Sequence, residues 1–212
     1  MCRSVVIAVA IVLGFVAAAA SGCGGKAASS GGCEKADLPQ PENRHVEAPT
    51  RRLIPGKAYA LTFDTTCGTF VVALDPKLAP NTVASLVSLA RVGYFHDTIF
   101  HRIVPGFVIQ GGDPTQSGSG GPGYSTVDVP PSGARYTKGV VAMAKTQEEP
   151  PGTAGSQFFV VTEADAGLPP EYAIVGRVRS GMSVVERIAP LGDESGRPTR
   201  TVVVRKVTVA VS

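Results

Sequence analysis

The chain has 212 residues, 43% of them hydrophobic, which is enough apolar material for the core of one globular domain. Its 20 basic and 17 acidic side chains leave a formal net charge of +3 and form no basic run. This charge pattern excludes the electrostatic signature of a nucleic-acid-binding protein or of a domain that binds an anionic membrane surface.

Residues 1–22 predict a signal peptide of the lipoprotein type. Arg3 precedes an apolar run over 5–20, and Ala20-Ser21-Gly22 then leads to Cys23, a pattern that resembles the lipobox of bacterial lipoproteins. Lipidation of Cys23 would add two or three acyl chains, which anchor a protein far better than one chain. We therefore expect an exported lipoprotein attached to the cell membrane and facing outside the cytoplasm. An uncleaved anchor or an ordinary secretory peptide are the alternatives, although the run is shorter than the ~20 residues of a membrane span.

Two cysteines remain once Cys2 has left with the signal peptide and Cys23 is lipidated. An even pair, Cys33 and Cys67, predicts a disulfide in an oxidising compartment. A redox or metal pair would need close spacing or histidine partners, and two free thiols are the third possibility.

The segment 23–55 is predicted to be a flexible tether. It is rich in Gly, Ala, Ser, Pro and charged residues, and such a composition buries too little apolar surface to offset the entropy of ordering. A bond between Cys33 and Cys67 would pin the second half of this tether against the domain.

The folded domain is predicted over 56–212, beginning with a hairpin and a helix. Apolar residues alternate with a period of two on both sides of Cys67-Gly68, which predicts two strands. Apolar residues then recur at helical spacing between Asn81, a good cap residue, and Gly93, the predicted stop.

The stretch 100–113 predicts a second hairpin, because apolar residues flank Pro105-Gly106 on both sides. It also carries a guanidinium, an aromatic ring and a neutral amide that a hairpin does not need. These three side chains, Arg102, Phe107 and Gln110, indicate a functional site.

The loop 118–123 matches the dinucleotide pattern G-x-G-x-x-G letter for letter. A phosphate-binding turn must open a helix, whereas this stretch leads to an extended segment and then to Pro130-Pro131. We interpret it as a mobile surface loop and expect no cofactor. We also expect no metal and no hydrolase triad, because the three histidines lack ligand-like spacing and no nucleophile stands in a recognisable motif.

The remaining apolar runs predict strands over 140–144, 155–161, 173–178 and 202–211, with a short helix after Gly181. This makes about eight strands and two helices without regular alternation, which favours an antiparallel barrel over a parallel sheet. Side chains fill the interior of an eight-stranded barrel, so the site should lie on its outside.

The chain resembles the cyclophilin family of peptidyl-prolyl isomerases over roughly residue 57 to the C-terminus. The resemblance is carried by four separated stretches in the family's order: 100–113, 139–144, 155–161 and 172–178. It implies a mainly β fold, a closed eight-stranded antiparallel β-barrel capped by two α-helices, with a surface groove for an X-Pro peptide. We also expect a monomer whose partners are proline-containing segments of unfolded or exported proteins.

The implied reaction is rotation about the X-Pro bond, whose resonance barrier is about 18–20 kcal/mol. Rotation localises a lone pair on the prolyl nitrogen, so a donor aimed at this nitrogen stabilises the twisted state more than the planar state. Arg102 matches the family's donor. Because arginine stays protonated, activity should be nearly flat from about pH 6 to 8.

The resemblance also implies the rest of the site. An apolar recess for the proline ring would be lined by Phe107, Met143, Phe159 and Leu168. Gln110 and the backbone of Lys145 would hydrogen-bond the substrate. Three further groove positions are Val108, Ala144 and Tyr172. The chain has no tryptophan, and Gly167 stands where many members carry one, so peptide isomerisation should survive better than cyclosporin binding.

A catalytically weak cyclophilin-like peptide-binding module, acting as a chaperone, is the alternative function. It would keep the groove without much turnover. Retention of Arg102, Phe107 and Gln110 together favours the enzyme.

Overall fold

The structure is a computed structural model, and it describes residues 32–50 and 52–212. The predicted signal peptide and the predicted lipidation site Cys23 lie outside the described residues. Within the described part, none of the helices is both long and apolar enough to cross a membrane. The predicted boundaries of the tether, 23–55, and of the domain, 56–212, stay predictions.

The described residues form eleven strands and two helices. The strands are β1 (Tyr59–Thr65), β2 (Gly68–Leu74), β3 (Thr98–Ile99), β4 (Arg102–Val104), β5 (Val108–Gly111), β6 (Thr126–Val127), β7 (Val140–Met143), β8 (Thr153–Ala154), β9 (Phe158–Val161), β10 (Ile174–Ser180) and β11 (Val203–Val211). The helices are α1 (Pro80–Arg91) and α2 (Met182–Ile188).

Nine strands make one antiparallel sheet in the order β3-β11-β1-β2-β10-β7-β9-β5-β4, and β6 pairs with β8 in a small second sheet. Only Phe100 and His101 separate the two edge strands, β3 and β4, in the chain. Because only these two residues join the edge strands, the two edges lie close together and the sheet is curled, while closure into a barrel stays a prediction. The predicted mainly β, antiparallel, barrel-like fold with two helices is confirmed, with nine strands in the sheet where eight were expected.

Apolar side chains pack on both faces of the curled sheet. The main core fills the inner face, where the rings of Phe63 and Phe70 stack at 4.8 Å and Phe158 lies 5.1 Å from Phe63. A smaller cluster on the other face includes Val108 and Phe159. The filled interior leaves this smaller cluster as the place where a groove can form.

Helix α1 begins differently from the prediction. Pro80 is its first residue, and Asn81 lies inside the helix instead of capping it. The cap comes from Asp128, whose buried carboxylate accepts hydrogen bonds from the Thr82 amide at 2.6 Å and the Thr82 hydroxyl at 2.7 Å. A carboxylate at this end also complements the helix dipole. The cap lies far away in the chain, so local spacing did not reveal it.

Residues 32–50, which lie within the predicted tether, are called the arm below. Cys33 and Cys67 are joined by a disulfide, and the Glu34 amide donates to the Thr66 carbonyl at 2.7 Å. The arm has no regular secondary structure, yet it is hydrogen-bonded to the domain. The disulfide and the backbone hydrogen bonds thus pin this part of the chain against the domain, as expected for a bond between Cys33 and Cys67, and the flexibility of the tether stays a prediction.

Candidate active site

The predicted hairpin at 100–113 is confirmed as β4 and β5. Pro105 and Gly106, with Gly106 at φ +70°, occupy the two central positions of the connecting turn, and the Phe107 amide donates to the Val104 carbonyl at 3.0 Å. These are the residues that a type II turn favours at these positions. The strand register places Arg102 directly opposite Gln110, so both side chains lie on the same face of the sheet.

A chain of polar groups runs from Arg102 across this face. The Arg102 guanidinium donates to the Gln110 side-chain oxygen at 3.4 Å, and the Gln110 amide donates to Gln157 at 3.1 Å. Gln157 in turn donates to the Gly120 carbonyl at 3.0 Å. The sequence patterns did not point to Gln157. It lies two residues before Phe159, a predicted recess residue on the neighbouring strand β9, and this position was the signal that could have identified it. The chain of bonds orients the amide of Gln110 and leaves the exposed guanidinium at the mouth of the groove.

A recess of about 320 Å³ opens beside Arg102. Eight of the ten predicted groove positions line it: Arg102, Val108, Gln110, Ala144, Lys145, Phe159, Leu168 and Tyr172. Phe107 is half-buried on the β4–β5 turn and packs against the same apolar cluster without lining the recess. The structure therefore brings together nearly all of the predicted positions from four separate parts of the chain.

The assignment of Met143 to the recess is wrong. Met143 is fully buried in the main core on the inner face of the sheet. Side chains alternate between the two faces of a strand, so Val140 and Ala142 join the outer cluster while Val141 and Met143 point inward. Ala144, one position further along, is on the groove side.

Tyr136 holds the aromatic wall of the recess in place. The rings of Phe159 and Tyr172 meet edge to face, with centroids 5.6 Å apart. The fully buried Tyr136 hydroxyl donates to the Tyr172 carbonyl at 2.7 Å and accepts from the Tyr172 amide at 3.0 Å. Burial raises the pKa of Tyr136, so this hydroxyl keeps its proton and can make both bonds.

Lys145 has a side-chain role that the resemblance did not supply. Its side chain is only 2% exposed, and its ammonium lies 3.1 Å from the Glu171 carboxylate. It also donates to the carbonyls of Thr146 and Glu149, each at 3.1 Å, and lies 5.6 Å from the centre of the Tyr172 ring. Lys145 thus ties the loop after β7 to the segment that carries Tyr172.

A second cavity, about 760 Å³, adjoins the recess and is open to solvent. The two cavities share Gln110, Ala144, Lys145 and Thr146. The groove is therefore continuous, with an apolar recess at one end and a wider polar section at the other.

Asp113 organises the loop that forms one wall of the second cavity. Its buried carboxylate accepts backbone hydrogen bonds from Thr115 at 2.8 Å, Gly118 at 2.7 Å and Gly120 at 3.1 Å. Burial raises the pKa of Asp113, but the hydrogen bonds outweigh it and the pKa lies below its ordinary value. The loop that matched the dinucleotide pattern is thus folded around the Asp113 carboxylate. From Gly123 the chain continues into strand β6, whereas a phosphate-binding loop would open a helix.

His101 lies beneath the same loop. Burial lowers its pKa, and the nearby Asp113 carboxylate opposes this effect without cancelling it. The imidazole is therefore neutral at ordinary pH. Among the described residues, no group of three His, Cys, Asp or Glu side chains is placed to hold a metal ion.

An exposed arginine beside an apolar recess on a curled antiparallel sheet is the arrangement expected of a prolyl isomerase. Residues 60–209 match the family model described as cyclophilin type peptidyl-prolyl cis-trans isomerase. The chain belongs to this family and is a peptidyl-prolyl cis-trans isomerase.

Curated relatives agree with this assignment. The chain is 41% identical over 132 residues to peptidyl-prolyl cis-trans isomerase-like 1 of Aspergillus fumigatus, which covers 60% of this chain and 80% of the relative. It is 38% identical over 155 residues to the protein of the same name from Gibberella zeae, covering 70% of this chain and 93% of the relative.

Solved structures show the same fold. A cyclophilin type peptidyl-prolyl cis-trans isomerase of Cryptosporidium parvum superposes with a TM-score of 0.66 at 28% identity, covering 72% of this chain and 98% of the other. A second structure of that protein, in the presence of the dipeptide Ala-Pro, gives a TM-score of 0.65 at 29% identity, covering 71% and 98%.

Proposed function

We propose that the groove binds proline-containing segments of other proteins, with the proline ring in the recess and Arg102 beside the prolyl nitrogen. One observation carries the proposal: Arg102, Gln110 and the apolar side chains of Val108, Phe159 and Leu168 line the same cavity. The apolar walls hold the ring, while the polar chain through Gln110 offers hydrogen bonds to the substrate backbone.

The guanidinium then acts on the transition state. As the X-Pro bond twists, amide resonance is lost and the prolyl nitrogen gains a lone pair that accepts a hydrogen bond. Arg102 is exposed at the edge strand β4, and it donates one long bond to Gln110, so it can turn toward this nitrogen at little cost. A donor that is used only in the twisted state lowers the barrier without tightening ground-state binding.

Arg102→Ala tests this role. The loss of one transition-state donor should lower kcat about 100-fold or more while peptide binding changes little. Rates are measured by NMR exchange on short X-Pro peptides, and binding by titration of the same peptides. Arg91→Ala, an exposed arginine in the last turn of α1, is the matched control and should keep wild-type rates.

The same experiment separates the enzyme from the alternative function. Normal turnover by a folded Arg102→Ala variant would refute the mechanism. Peptide binding without acceleration by the wild-type protein would favour the chaperone-like binding module instead.

We further propose that the protein is an exported, membrane-attached lipoprotein that assists the folding of exported proteins as a monomer. Two observations support export: the lipobox-like sequence before Cys23 and the disulfide between Cys33 and Cys67, a bond typical of oxidising compartments. Residues 24–32 span at most about 32 Å when fully extended. Lipid on Cys23 would therefore hold the domain close to the bilayer surface.

Metabolic labelling with a radioactive fatty acid tests this part of the proposal. The wild-type protein should carry the label and sediment with membranes, whereas Cys23→Ala should lose the label. A wild-type protein that takes up no label would contradict lipidation, whatever its isomerase activity.

A further inference from the structure

The arm is attached to the two sides of the loop that walls the second cavity. The Glu42 amide donates to the Pro114 carbonyl at 2.9 Å, and the Val46 amide donates to the Pro122 carbonyl at 2.9 Å. Between these two bonds lies Arg44, whose guanidinium donates to two backbone carbonyls of the domain at 2.6 and 2.7 Å. The arm is thus held at every second residue of this segment, at positions 42, 44 and 46.

The two residues between these attachments face the cavity. Asn43 and His45 are both exposed, and both line the second cavity. A Cβ at Gly123 would lie 2.7 Å from the His45 ring, and Gly123 has φ +93°, so only glycine lets the loop and the arm approach this closely. Residues 43 and 45 precede the segment 60–209 that matches the family, so the family match assigns them no role.

A substrate in the groove would pass both cavities. In an extended peptide, side chains two positions apart point to the same side and lie about 7 Å from each other. The two cavities share four lining residues, so a side chain two positions away from a proline in the recess is within reach of the second cavity. We infer that Asn43 and His45 of the arm read this side chain and set the sequence preference of the isomerase.

The chemistry of the cavity defines the preferred residue. Besides the arm's amide and imidazole, its wall carries the hydroxyl groups of Thr115, Ser117 and Ser119. Hydrogen-bonding groups of both kinds favour a neutral polar side chain such as asparagine, because an apolar side chain would displace water from Asn43 and His45 without giving them a new partner.

This role for the arm rests on the proposed binding of X-Pro segments, so turnover of a reference peptide with alanine at the tested position is measured first. Two peptide series then carry asparagine or leucine two positions before or two positions after the proline. In one of the two series, the wild-type full chain should have a higher kcat/KM for the asparagine peptide than for the leucine peptide. The double variant Asn43→Ala/His45→Ala should lower this asparagine-to-leucine ratio of kcat/KM about fivefold, which corresponds to one net hydrogen bond. Lys35 is an exposed arm residue that is not among the residues lining either cavity, so the control variant Lys35→Ala should keep the wild-type ratio.

An NMR titration gives a readout that does not depend on variants. The His45 ring resonances of the wild-type protein should shift on saturation with the asparagine peptide and stay in place with the alanine peptide. Equal ratios in wild type and double variant, or His45 resonances that do not respond, would overturn the role of the arm. If the reference peptide itself is not turned over, the proposed function fails and the arm's role fails with it.

Discussion

The buried ammonium of Lys145 offers a sharp test of how the recess is held together. Lys145→Met removes the charge and keeps most of the apolar stem. Three oxygen acceptors, from Glu171, Thr146 and Glu149, then lose their donor. Hydrogen bonds to a charged group contribute about 1.5–3 kcal/mol each, but the cost of burying the ammonium offsets much of this total.

We therefore expect a net destabilisation of about 2 kcal/mol. For a domain of this size, 1 kcal/mol shifts Tm by about 2–4 °C, so the melting temperature should fall by about 4–8 °C. Lys138→Met is the matched control, because Lys138 forms an ion pair with Glu186 in which both side chains are nearly half exposed. Such a surface pair contributes below ~1 kcal/mol.

The same substitution should affect the recess more than the chemistry. Without the ammonium, Tyr172 loses a cation above its ring and the loop after β7 loses its tie to Glu171. KM for X-Pro peptides should rise several-fold, whereas kcat should change less because Arg102 is untouched. Equal melting temperatures for the Lys145→Met and Lys138→Met variants would refute this account of the buried ammonium.

Three further predictions concern stability. Asp128→Ala should cost about 1–2 kcal/mol in urea unfolding, because helix α1 loses the carboxylate that caps it. Tyr136→Phe should cost about 1–3 kcal/mol and raise KM, since both backbone groups of Tyr172 lose their partner. The hydrogen bond from Ser195 is the main cause that lowers the pKa of Asp193 from 3.8 to about 2, so the folded state binds this proton less readily than the unfolded chain. Its contribution to stability is present above pH 4 and should be lost as the pH falls through about 2, and the melting-temperature difference from Asp193→Asn should vanish there.

Each of these predictions has an outcome that contradicts it. An unchanged urea midpoint for Asp128→Ala would show that water replaces the cap without loss. Wild-type KM for Tyr136→Phe would show that the ring contacts alone position Tyr172. A melting-temperature difference between wild type and Asp193→Asn that persists below pH 2 would show that the charge of Asp193 is not the cause.

Local sequence patterns were enough to predict most of the strands and helices, including the hairpin at 100–113. Strand periodicity and the Pro105-Gly106 turn are short-range properties, and they place Arg102 opposite Gln110 without knowledge of the rest of the chain. The resemblance in four separated stretches then predicted that the recess residues lie close together, because a shared fold determines which distant strands become neighbours.

Met143 shows where the local pattern stops being informative. The run over 140–144 is apolar at every position, so no alternation in the sequence tells which side chains face the core and which face the groove. That choice depends on the pairing of β7 with β9 and β10 in the curled sheet. The tertiary structure turned Met143 inward.

The sequence by itself determined the two hairpins, the family and the chemistry of Arg102, because each depends on residues close together in the chain or on a pattern shared with relatives. Only the tertiary structure decided that Asp128 caps helix α1, that Gln157 extends the polar chain from Gln110, and that Asn43 reaches the groove. These contacts join residues that are far apart in sequence. They form only after the sheet has curled and has brought loops that are distant in the chain close together.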